Sequence, residues 1–200
     1  MIANAPPAAN GNAAWVRIET PLSVQELVEF CRDIERLYRI NPYLEFETWR
    51  QLAGNRWHTV FRNLSNGQKT DVEIFRQQPL PDAFSARYSQ GIKRSTRFEI
   101  AAMTSGSVLT ITDDYSDVQA QQAQREVDRS LHAWGTALHE YLPRHARWKW
   151  CAPWRWYMRH VWTPMKPGAR RITYILLLVM IADLVLFALV MAIWWAEQQR

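Results

Sequence analysis

The chain has 200 residues, 24 basic against 19 acidic, and a net charge of +5. With 48% hydrophobic and 22% charged residues, it is close to ordinary globular composition, which excludes collagen-like, fully disordered and multi-span membrane chains. Two cysteines cannot build a disulfide framework, whereas eleven tryptophans are a clear excess.

Residues 1–12, MIANAPPAANGN, are small, polar and proline-containing, and are expected to be disordered. They contain no basic n-region and no apolar h-region, so no signal peptide is expected. Ala13–Thr20 alternates and predicts a strand, ended by Pro21. Ser23 reads as an N-cap, with Glu26 completing a capping box. Leu27, Phe30, Cys31, Ile34 and Leu37 then recur at helical spacing, predicting one helix or a broken pair over 23–38. Asn41-Pro42 stops it.

From Tyr43 to Tyr115 the period becomes two. Six strands are predicted, at 43–52, 56–64, 69–77, 83–90, 94–103 and 107–115. The short glycine- and proline-containing turns between them predict an antiparallel meander. One face carries Leu44, Phe46 and Thr48; Val72 and Ile74; Phe84, Ala86 and Tyr88; Thr96, Phe98 and Ile100; Leu109, Ile111, Asp113 and Tyr115. In 56–64 both faces are mixed, and Trp57 and Phe61 are taken as inward. The inward polar groups Thr48, Tyr88, Thr96 and Asp113 need partners. For Asp113 the alternatives are Arg76, a solvent-exposed strand end, or a ligand's head group.

After Asp117 a helix is predicted to Tyr141, with Pro143 ending it. Val127, Leu131, Trp134, Leu138 and Tyr141 form one apolar stripe, while Gln124, Arg125, Asp128 and Arg129 stay polar. Next comes a stretch of one sign. Arg144, Arg147, Lys149, Arg155, Arg159, Lys166, Arg170 and Arg171 are eight basic residues with no acid among them, which leaves 16 basic and 19 acidic residues elsewhere, a net of −3. Trp148, Trp150, Trp154, Trp156 and Trp162 lie in the same stretch, and Cys151 with them. Pro153, Pro164 and Pro167 break it into short pieces. This segment, 148–171, reads as a membrane-surface collar, with Arg155, Arg159, Lys166, Arg170 and Arg171 on anionic headgroups and Trp154, Trp156 and Trp162 at the interface. Binding of nucleic acid through interleaved cations and aromatics is the reading it displaces, so no nucleic-acid partner is expected.

Residues 172–195, ITYILLLVMIADLVLFALVMAIWW, carry one charge, Asp183, in 24 residues. A helix of that length spans about 36 Å, enough for a hydrocarbon core of about 30 Å. With no polar face, it predicts a transmembrane helix, followed by the tail 196–200. The collar before the span implies a single-pass protein of the inner (cytoplasmic) membrane with its N-terminal domain in the cytoplasm. Asp183 costs on the order of 2.5–3.5 kcal/mol on insertion scales. Either the apolar span absorbs that cost, or Asp183 makes a polar contact with a partner helix, of another membrane protein or of a second copy of this chain.

No GxGxxG, P-loop, HExxH or GxSxG motif is present, and neither a cofactor nor a metal is expected. His132 and His139 are seven apart on one helix but lack a third ligand. Cys31 reads as core.

The order of a strand, helices, six strands and one long helix, with Asn41-Pro42 before the second strand and Trp134 on the last helix, resembles the START-like polyketide cyclase/lipid-transport superfamily (SRPBCC) over about 13–147. The resemblance implies an α+β helix-grip fold, a curved seven-stranded antiparallel sheet wrapped on a long C-terminal helix, to which the one transmembrane helix is added. It also implies a helix–sheet cavity for a lipid, isoprenoid quinone or polyketide-like ligand. The cavity candidates are Phe46, Thr48, Trp57, Phe61, Ile74, Tyr88, Phe98, Ile111, Asp113, Leu131, Trp134 and Leu138; a filled core is the alternative. The expected function is membrane-anchored binding and transfer or presentation of an apolar ligand, for which quinone-binding Coq10-like proteins are a functional analogy. The alternatives are a scaffold subunit of a membrane complex docked through Asp183, and a cyclase/aromatase-type enzyme using Tyr88 and Asp113.

Overall fold

The computed structural model describes residues 13–91, 93–115 and 120–199, without the side chains of Pro79 and residues 120–129. The disorder expected of 1–12 and the inward placement expected of Val127 lie outside the described residues.

Seven strands form a single antiparallel sheet: β1 (Ala13–Thr20), β2 (Leu44–Ala53), β3 (Arg56–Asn63), β4 (Lys69–Leu80), β5 (Ala83–Tyr88), β6 (Ser95–Met103) and β7 (Gly106–Asp114). Their spatial order is β1-β7-β6-β5-β4-β3-β2. Strands β2 to β7 follow one another as hairpins, and the first strand closes the far edge on the last. This is the order a meander must give once β1 is separated from β2 by helices. At the β6–β7 hairpin Gly106 has φ +115°, and a Cβ there would sit 2.2 Å from the Thr20 carbonyl oxygen. Only glycine fits that approach.

Between β1 and β2 lie α1 (Val24–Arg32) and α2 (Ile34–Arg39). The capping box forms. Ser23 Oγ accepts from the Glu26 N–H at 3.3 Å, and Glu26 Oε2 accepts from the Ser23 N–H at 3.0 Å. The pair is broken at Asp33, which caps the end of α1 and the start of α2; its Oδ1 accepts from the Arg36 N–H at 3.1 Å. Leu27, Phe30, Cys31, Ile34 and Leu37 are all buried, as their spacing requires.

The long helix α3 runs Ala120–Trp148 and passes through Pro143, correcting the expectation that Pro143 ends it. A mid-helix proline costs about 3 kcal/mol. Here packing outweighs that cost. Tyr141 and Leu142 are buried, and the His145 ring beyond the proline lies against Phe30 and Tyr141 at centroid distances of 5.3 and 6.0 Å. Trp134 is 1% exposed, and its indole N–H donates to the Leu37 carbonyl at 3.0 Å, tying α3 to α2. Gly135 lets α3 approach β1, since a Cβ would lie 2.5 Å from a Val16 methyl.

A second departure is local. A β-bulge between Phe46 and Thr48 shifts the alternation of β2. Thr48 is therefore exposed rather than inward, and Trp49 packs on the core in its place, 5.2 Å from the Phe46 ring. One extra residue in a strand reverses every later side chain.

The described chain divides into two compact units at residues 164/165. The first ends with α4 (Ala152–Tyr157) and a π-helical turn, Met158–Trp162. Pro153 stands at the start of α4, where a missing N–H costs nothing. The second unit is α5 (Pro167–Gln198), 32 residues of which 172–195 are apolar apart from Asp183. It is long and apolar enough to cross a membrane.

Candidate functional site

Between the sheet and the helices lies a cavity of about 150 Å³. Its apolar wall includes Leu44, Phe61, Val72 and Ile74 from β2 to β4, and Trp134 closes it from α3. Tyr38, Tyr88, Lys93 and Tyr115 bring polar atoms to it, and the exposed residues Gln68, Gln90 and Gly91 mark its mouth.

The polar atoms of Tyr38, Tyr88, Lys93 and Tyr115 belong to one connected chain, joined through Thr96 and Asp113. In the β6–β7 register Thr96 stands directly opposite Asp113, and both are 0% exposed. Thr96 Oγ1 donates to Asp113 Oδ1 at 2.6 Å. Lys93 Nζ pairs with Asp113 Oδ2 at 2.5 Å, and the Tyr115 hydroxyl donates to the same oxygen at 3.1 Å. Tyr88 lies 2.8 Å from Thr96 Oγ1, and Tyr38 lies 2.5 Å from Tyr88. A hydroxyl has one proton. Because Thr96 gives its proton to the carboxylate, Tyr88 must donate to Thr96. For the same reason Tyr38 must donate to Tyr88. All protons in the chain therefore point toward Asp113.

Burial is the largest cause pushing both tyrosine hydroxyls well above their ordinary range, and nearby Asp113 adds to it. Both stay protonated at neutral pH and act as hydrogen-bond groups rather than bases. Tyr38 is also the aromatic hub. Its ring centroid lies 5.1 Å from Trp134, 5.9 Å from Trp49 and 6.3 Å from Phe98. Lys93 lies about 6 Å from the Trp134 and Tyr115 ring centres, at 6.0 and 5.9 Å.

Of the residues expected at the cavity, Phe61, Ile74, Tyr88 and Trp134 line it. Asp113 is reached through Lys93, Thr96 and Tyr115. Phe98, Ile111, Leu131 and Leu138 are buried in the surrounding core, and the Phe46 ring lies tilted against Phe61 at a centroid distance of 5.5 Å. Trp57 is half-buried against the core without lining the cavity, and Thr48 is exposed. Asp113 pairs with Lys93, not with Arg76 and not with solvent. Arg76 donates instead to the Arg32 carbonyl and lies over the Phe84 ring. Tyr38 and Lys93 are the two members that sequence reading did not single out. Tyr38 extends the apolar face of α2, one residue past Leu37; Lys93 sits in a turn where periodicity carries no signal.

In the basic stretch, Trp154 and Trp162 pack back on the domain, 5.9 Å from His145 and 5.5 Å from Tyr141. Trp148, Trp150 and Trp156 stay exposed, and so do Arg155 and Arg159. Lys166, Arg170 and Arg171 belong to the second unit. His132 and His139 are exposed, and no group of three metal-ligating side chains occurs among the described residues. Burial raises the Cys31 thiol to about 12, so it carries no thiolate chemistry.

No family model and no curated protein matches the sequence. Solved structures do. A START superfamily protein from Mycobacterium smegmatis matches at 16% identity and a TM-score of 0.56, over 66% of this chain and 97% of its own. The di-domain ARO/CYC StfQ from the steffimycin biosynthetic pathway matches at 8% identity and a TM-score of 0.51, over 68% of this chain and 52% of its own. At such identities the likeness is one of fold. The domain has the helix-grip fold of START/SRPBCC proteins, with one long apolar helix following it.

Proposed function

We propose that this chain is a membrane-anchored binding protein that holds an apolar, ring-sized ligand with a polar end in its helix–sheet cavity and presents it at the membrane surface. The observation that supports this most is the cavity itself, lined by apolar side chains from β2 to β4 and by a hydrogen-bonded chain that leaves Lys93 N–H groups available. A cavity of about 150 Å³ is about the size that holds a benzene ring. A ring therefore fits, while a long isoprenoid or acyl tail must leave through the mouth. Burial of each methylene on the way contributes about 0.8 kcal/mol. A transmembrane α5 would keep the domain at high effective concentration over the bilayer.

The likeness to an aromatase/cyclase gives a second reading, in which Tyr88 and Asp113 act on a polyketide-like ligand. The chain favours binding over catalysis, because both tyrosines are held protonated and Asp113 is already engaged by three donors.

The test uses the full-length chain in nonionic detergent. Wild type and Ser130→Phe, whose added ring fills the cavity from α3, are purified in parallel and extracted, and apolar molecules are identified by mass spectrometry. A ring-bearing compound that accompanies wild type and is lost from Ser130→Phe is expected. Equal extracts from both proteins overturn the proposal, and turnover of the recovered compound moves the assignment to the enzyme.

A further inference from the structure

The molecule has a second concavity that shares no lining residue with the first. It is a groove of about 810 Å³ in the N-terminal unit, between α1–α2 and the end of α3 with α4 and the π-turn. Five cations reach it, Arg32, Arg36, Lys149, Arg155 and Arg159, against three acids, Glu26, Glu29 and Asp33. Each acid is already held by a lining cation. Glu29 pairs with Arg32 at 2.7 Å, Asp33 with Arg36 at 3.7 Å, and Glu26 with Lys149. The Lys149 contact is the largest cause lowering Glu26 to about 2. Arg155 and Arg159 have no acidic partner among the described residues. The groove therefore carries a net +2 that no acid among the described residues neutralises.

Two further observations fit an anion site. Arg36 Nε, 3.7 Å from Asp33 Oδ2, is a buried donor in this groove beyond hydrogen-bond reach of any acceptor among the described residues, and buried donors are rarely left so. The two unpaired arginines sit four residues apart, on α4 and on the π-turn, where Thr163 N–H and Oγ1 both donate to the Met158 carbonyl at 2.9 and 2.7 Å. Single π-turns recur at functional sites. Guanidinium groups bind phosphate through paired N–H donors.

We propose that this groove binds a phosphate-bearing anion through Arg155 and Arg159, with Arg36 supporting it. The proposal does not rest on the cavity reading. The full-length chain in nonionic detergent is titrated separately with dihexanoyl phosphatidylglycerol and with inorganic phosphate, followed by ³¹P NMR. Saturable binding of either probe is expected, weakened about tenfold or more in Arg155→Gln/Arg159→Gln and largely retained in Arg155→Lys/Arg159→Lys. Saturation by the lipid alone identifies a headgroup site; saturation by inorganic phosphate at similar concentrations identifies a soluble phosphate site. Absence of saturable binding to both, or equal binding by the glutamine variant, overturns the proposal. Near-UV circular dichroism confirms that the variants fold. Ser130→Phe is expected to bind phosphate as wild type does, which separates failure of this proposal from failure of the cavity reading.

Discussion

Asp113→Asn tests whether the buried chain is held together by charge. In the native protein the carboxylate is 0% exposed and is engaged by Thr96, Tyr115 and Lys93. Asparagine keeps one carbonyl oxygen for Thr96, and the Tyr115 hydroxyl can turn to accept from the new amide. Lys93 has no such escape, because an ammonium cannot accept a hydrogen bond. The loss is one charge-assisted bond, about 1.5–3 kcal/mol. Its side chain is 26% exposed, so water partly solvates the orphaned charge. That keeps the cost below the roughly 3–5 kcal/mol of breaking a fully buried pair. Lys93→Met is expected to cost more, about 3–5 kcal/mol, because it strands the carboxylate with no exposure at all. The double variant Asp113→Asn/Lys93→Met removes both charges and should be no less stable than Lys93→Met alone. Denaturant unfolding of the full chain in nonionic detergent, read by near-UV circular dichroism, supplies all three values. Additivity within about 0.5 kcal/mol would refute the coupling.

Three other outcomes follow from the same packing. Gly135→Ala places a methyl 2.5 Å from Val16; although alanine gains up to about 1 kcal/mol of helix propensity, overpacking of about 1–3 kcal/mol makes the variant less stable, and adding Val16→Ala should restore it in the same unfolding assay. His145 is lowered from 6.5 to about 4, mainly by burial and then by Arg36 and Lys149. The unfolded chain therefore takes up its proton first, and stability falls as pH drops from 6.5 toward 4; His145→Gln should flatten that part of a melting-temperature profile, and an unchanged profile would contradict the assignment. Asp183→Leu should leave ligand recovery unchanged while easing insertion by about 3 kcal/mol; loss of a partner protein on detergent pull-down, with no ligand in either protein, would favour the scaffold alternative.

Much of the fold was legible because it rests on local patterns. The capping box at Ser23, the alternation of β4 to β7 and the Leu131–Trp134–Leu138–Tyr141 stripe each follow from a residue's neighbours in sequence. Tyr88, Thr96 and Asp113 were also legible as inward polar groups, since strand period alone puts them on the buried face. What they bond to was not. The partner of Asp113 lies 20 residues upstream in a turn, and it is the β6–β7 register that brings the two together. Thr48 was misplaced because a bulge leaves no compositional trace. Pro143 misled because its helix is held by contacts to Phe30, more than a hundred residues away. That α1 and α2 supply the other wall of a groove beside Lys149, Arg155 and Arg159 is set by tertiary packing, which the composition of the basic stretch does not report.

Were the cavity to take a ligand as proposed, the directed hydroxyl chain would act as a polarity filter at two of its side chains. At Tyr38 the only unused feature is a lone pair, so a ligand group meeting it has to offer a proton. At Lys93 only protons are on offer, so the group there has to offer a lone pair. A ring with a hydroxyl at one end and a carbonyl at the other would therefore enter one way round. At these two contacts a diketone and a diol of the same outline would each meet one mismatch. Two oxidation states of a single ring, almost identical in shape, would be told apart by where their protons are.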